Sequence, residues 1–248
     1  MTACAVRLHR AALALASGAL LASCQLAPPP PRPPPAASAN GPGASGPALL
    51  APQPGATLLT IDGAASRIEL RLAAAGPLAG LGHPHVIVVR GLTGQVLVPS
   101  DLVGMRFGLR FSVEQMAVDE AADRAAAGGE FAPPIPDSAR AGTREHMLGT
   151  GQLEALAHPQ VVLRAQALHV SKGDAAAGEG ELSLVVEMVG RSVPLTVPVH
   201  WQRTAQVLAA HGEFTLLQTA LGIQPYSIGG GALRVADQMQ VRYSISAR

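Results

Sequence analysis

Met105–Met116 reads "MRFGLRFSVEQM". Met105, Phe107, Leu109, Phe111 and Val113 alternate with Arg106, Gly108, Arg110, Ser112 and Glu114. Side chains along a strand point to opposite faces in turn, so a period of two marks a strand with one dry and one wet face. The pattern recurs in both directions along the chain. Ile68, Leu70 and Leu72 alternate with Arg67, Glu69 and Arg71. Leu182, Leu184, Val186 and Met188 repeat it, then Val193, Leu195, Val197, Val199 and Trp201, then Met239, Val241, Tyr243 and Ile245. With "HVIVVR", "QVLV", "QVVLRAQALHV" and "GEFTLL" added, about eight or nine strands are predicted, most of them separated by glycine-bearing turns.

Such a chain is all-β, and its sheet edges must be removed by closure into a barrel or managed by pairing two sheets. One segment interrupts the meander. "APPIPDSARAGTREHMLGTGQLEALAHP" predicts a loop, then a helix capped by Asp137 or Ser138 and lasting to about Leu148. A second short turn is expected at Leu153–Leu156, before Pro159. An antiparallel barrel of roughly eight strands can hold one small or elongated ligand. Ile68, Leu70, Leu72, Phe107, Leu109, Phe111, Leu184 and Val186 are its candidate lining. The same side chains could instead meet and fill the centre.

The N-terminus carries an address. "MTACAVRLHRAALALASGALLASCQ" has a basic start at Arg7 and Arg10 and an apolar run from Ala11 to Leu21. That run is shorter than the roughly 20 residues needed to cross a bilayer, but suits a secretory signal. Leu21-Ala22-Ser23-Cys24 resembles the lipobox of bacterial lipoproteins, which implies cleavage after residue 23 and a diacylglycerol on Cys24. Gln25 in place of an inner-membrane-retaining aspartate points to the periplasmic face of the outer membrane. Cys4 lies in the removed segment, so no second thiol remains to form a disulfide. Residues 24–56 are rich in Pro, Gly and Ser and read as a disordered tether, able to reach on the order of 90 Å at ~3.1 Å per residue. Residues 57–248 are one domain.

Composition excludes some partners. A net charge of +1 with 14% charged residues gives no basic field for nucleic acid, and 3% aromatics give no stacking platform. No G-x-S-x-G elbow, Walker A loop or dinucleotide fingerprint is present. Asp62, Asp101 and Asp237 read as turn residues. The chain is therefore expected to bind, not to catalyse.

Several separated blocks together resemble the YceI-like, polyisoprenoid-binding family of exported bacterial proteins. They are "IDGAASRIELRL", "GTREHMLGTGQLEALAHPQVVLRA", "GEGELSLVVEMVGRSVPLTVPV", "FTLLQTALGIQPYS" and "RVADQMQVRYSI". The resemblance covers nearly the whole domain. It implies a lipocalin-like, eight-stranded antiparallel barrel with a short helix inserted before the fourth or fifth strand. It also implies a long apolar cavity that accepts an isoprenoid or similar chain, and an isoprenoid or quinone-like lipid is the one bound molecule the sequence suggests.

"GLGHPHVIVVR", residues 80–90, leaves a choice open. His83 and His85 would project to one face of a strand, about 6.6 Å apart. They suit hydrogen bonding at the barrel mouth, contact with a ligand head group together with His146, or a metal site completed by His146 or His158. Pro84 favours a strand start or edge here. Three function classes follow: an anchored carrier of an apolar chain, a metal- or haem-related binding module built on the histidine pair, and an envelope interaction protein with a filled barrel.

Overall fold

The computed structural model describes residues 50–102 and 104–248. The signal segment 1–23, Cys24 and most of the 24–56 tether lie outside the described residues. The chain runs β1 (Ala56–Thr60), β2 (Arg67–Ala75), β3 (His85–Val89), β4 (Thr93–Pro99), β5 (Arg106–Ser112), β6 (Ala117–Val118), α1 (Ala121–Ala127) and α2 (Asp137–Leu148). It continues through β7 (Gln160–Gly173), β8 (Ala177–Met188), β9 (Arg191–Arg203), β10 (Leu208–Leu217), β11 (Ser227–Ile228) and β12 (Leu233–Ala247).

The first six strands are three courses, each broken once. β1 pairs β4 while β2 pairs β3, and β4 pairs β5 while β3 pairs β6. The first break is a turn in which Asp62 Oδ1 accepts from the Ala64 and Ala65 amides. The third is the short 3₁₀ turn Val113–Gln115. With β7, β8, β9, β10 and β12 these make eight antiparallel courses, each paired with the next. β12 then returns to the first course. It pairs β2 along most of its length and meets the end of β1, where Thr60 and Arg248 exchange hydrogen bonds of 2.7 and 2.9 Å. The sheet is thereby a ring, and α2 falls between its third and fourth courses, as expected, with α1 ahead of it in the same connection.

Two local readings need correction. α2 begins at Asp137, but Pro136 takes the cap position and no side chain caps the helix; Arg140 N–H to Pro136 O closes its first turn. α1 was not predicted. Its "AADRAAA" has high helix propensity but no apolar stripe, and Gly128 at φ 71° stops it.

α1 packs on β3 and explains the unbroken aliphatic run there. Ile87 faces the barrel interior, while Val86 and Val88 are fully buried on the opposite face. Ionic contacts tie α1 to that outer face. Asp123 binds Arg90 at 2.7 Å and Arg67 at 3.2 Å, and Glu69 joins Arg67 to Arg71. Arg144 pins α2 by donating to the Met116 and Glu114 carbonyls.

Candidate functional site

The ring encloses a cavity of about 260 Å³. All eight apolar residues expected from the alternation line it: Ile68, Leu70 and Leu72 on β2, Phe107, Leu109 and Phe111 on β5, Leu184 and Val186 on β8. The barrel is therefore hollow, and the filled-centre alternative does not hold. Trp201, Tyr243, Met239 and Phe214 line it too, from runs whose alternation was legible but whose inward face was not chosen. Gln152, Leu153, Leu221 and Ile223 come from loops that carry no periodic signal.

Among the described residues, the lining contains no charged residue and no histidine. Its few polar donors are already engaged with backbone carbonyls. Trp201 Nε1 donates to Asp174 O at 3.0 Å and the Tyr243 hydroxyl to Pro198 O at 2.6 Å. Gln218 Nε2 donates to Ala236 O at 2.7 Å and Gln152 Nε2 to Gln224 O at 2.8 Å. Burial also pushes the Tyr243 phenol up, keeping it neutral. Gly178 gives Trp201 its place, since a Cβ there would lie 2.4 Å from the indole ring. A void with such walls excludes water and favours an apolar guest.

The three histidines named as ligand contacts lie elsewhere. His146 stacks on Tyr226 with ring centroids 4.4 Å apart and places Nε2 3.2 Å from its hydroxyl. His83 and His85 meet edge to face at 4.9 Å just where β3 begins. The alternative of a metal site completed by His146 is not assembled. The grouped donors among the described residues are His83, His85 and Asp119, with donor atoms all within 4.8 Å of one another. Asp119 follows β6, whose pairing with β3 carries it beside His85; α2 turns His146 toward Tyr226 instead. His158 is outside the group as well. His200 and His211 sit exposed within β9 and β10, in register and stacked at 5.2 Å.

Asp119, itself wholly buried, is the centre of a hydrogen-bonded arrangement. Its Oδ2 lies 2.7 Å from His85 Nδ1, and its Oδ1 accepts from Val86 N–H at 2.8 Å and Arg124 Nη1 at 2.7 Å. Arg124, 1% exposed, also donates to Pro84 O and Pro133 O at 2.7 Å each. Burial pushes the Asp119 carboxyl up, but the His85 and Val86 hydrogen bonds, the His85 charge and Arg124 bring it below the usual carboxylate range. Burial, then the neighbouring His85, lowers His83 and favours its neutral ring.

No family model and no curated protein matches the chain. Among solved structures, BcnA from Burkholderia cenocepacia superposes with a TM-score of 0.56 at 14% identity, covering 76% of this chain and 99% of that one. That likeness shows a shared fold. A polyisoprenoid binding domain from Saccharophagus degradans aligns more loosely, with a TM-score of 0.48, 9% identity and coverage of 77% and 97%. The YceI protein of Campylobacter jejuni gives 0.43, 6%, 64% and 81%. The all-β barrel implied by the sequence resemblance is the fold observed.

Proposed function

We propose that this protein binds an apolar chain, an isoprenoid or quinone-like lipid, inside the barrel, as a non-catalytic carrier. The observation that carries the reading is the lining: no charge and no histidine among the described residues, and its N–H and O–H donors committed to backbone carbonyls. A guest gains burial there and nothing polar, so its chain enters and any polar end stays outside. Each buried methylene contributes about 0.8 kcal/mol, roughly fourfold in affinity. The single tryptophan, Trp201, is part of the wall and reports occupancy directly. In a series of n-alkyl or prenyl alcohols, affinity read from Trp201 fluorescence should rise about fourfold per added CH₂ and level off once the cavity is full. A flat series would overturn the carrier reading.

The address belongs to the same proposal. A lipid on Cys24 holds the domain at the periplasmic face of the outer membrane, with residues 24–56 as its tether. Palmitate labelling of the expressed chain should be lost in Cys24→Ser, and the variant should leave the membrane fraction. Labelling that survives the substitution would remove the anchor.

A further inference from the structure

We propose that the ring nitrogens of His83 and His85 bind a divalent transition-metal ion of the zinc or copper class, with Asp119 as the carboxylate that orients His85. The site is distinct from the lipid cavity, because neither histidine lines that cavity.

The donors suit such an ion. Neutral imidazole is a ligand for zinc, copper, iron and nickel, and the three side chains can present donor atoms within 4.8 Å of one another. The 2.7 Å contact between His85 Nδ1 and Asp119 Oδ2 needs a proton on the ring nitrogen. That proton fixes the tautomer and leaves the lone pair on Nε2, the arrangement in which a carboxylate backs a metal-bound histidine. His83 supplies the independent observation: its Nε2 is buried and has no hydrogen-bond partner among the described residues. A histidine kept only for packing or for hydrogen bonding would have that nitrogen partnered, since an orphaned polar atom costs about 1–3 kcal/mol.

The segment is also held in place beforehand. Arg124 donates to the Pro84 carbonyl, between the two imidazoles, and through the same Nη1 to Asp119. One buried guanidinium thus fixes both the His-Pro-His backbone and the carboxylate behind it. Asp119 and Arg124 pair at 2.7 Å and offset one another in charge. The remaining coordination positions fall to water or to a donor from outside the chain, which makes this an open site, unlike a closed four-residue zinc centre.

The test uses the full chain, stripped with a chelator and dialysed against Zn²⁺ alone. One Zn²⁺ per chain is expected, with His83→Ala and His85→Ala each weakening binding at least tenfold and His146→Ala leaving it unchanged. Trp201 fluorescence establishes that each variant retains the barrel. Ring-proton NMR of the wild type provides a reading that needs no variant: Zn²⁺ should shift the His83 and His85 signals and spare those of His200 and His211. Equal zinc uptake by wild type and the His83 and His85 variants, or unmoved His83 and His85 signals, would overturn the site. Lipid binding in the cavity is a separate measurement, so either proposal can fail alone.

Discussion

Asp119→Ala is expected to lose about 3–5 kcal/mol of folding free energy, the range seen when one member of a buried ion pair is removed. Asp119 is wholly buried and Arg124 is 1% exposed. Truncation leaves the guanidinium with the Pro84 and Pro133 carbonyls but without a counter-charge, and strips the Val86 amide and His85 of their acceptor. Urea unfolding followed by Trp201 fluorescence measures the loss. The double variant Asp119→Ala/Arg124→Leu should recover part of it, because replacing both charges by apolar groups removes the uncompensated one. A single variant within about 0.5 kcal/mol of the wild type would mean that the pair does not hold α1 and the His-Pro-His segment against β3.

Leu184→Trp should reduce lipid affinity by about a hundredfold with little loss of stability. Leu184 lies on β8 between Gly178, beside Trp201 at one end of the barrel, and Met188 at the other. A larger ring there displaces guest volume equivalent to several methylenes, each worth about 0.8 kcal/mol. The two readouts separate a hollow from a packed interior. In a packed core the added bulk would cost about 1–3 kcal/mol by forcing neighbours off their rotamers. In a hollow one the indole replaces empty space. Unchanged chain affinity combined with a large drop in stability would contradict the carrier reading.

The barrel was legible because its courses alternate, and the alternation of Phe107, Leu109 and Phe111 names an inward face as well as a strand. Glu69 and Arg71 were legible as the outer face, but not the fact that α1 covers it. "AADRAAA" buries charged side chains instead of an apolar stripe, so hydrophobic periodicity has nothing to detect. The histidine pair was visible, whereas its carboxylate was not. Asp119 and His85 are joined only by the pairing of β6 with β3, and β6 is two residues long, too short for a period-two pattern. His146 looked equivalent in composition and was excluded by its contact with Tyr226.

The seam between Thr60 and Arg248 bears on how the molecule reaches this state. Neighbouring courses can zip up as local hairpins, yet the first one stays an open edge until β12 is delivered. Loop-closure entropy must be met before that pairing returns any energy, so the final step depends on a contact of very high sequence separation. Assembly should therefore be slow and late, with an exposed strand edge awaiting its partner, and shortening β12 should trap the chain in that aggregation-prone intermediate.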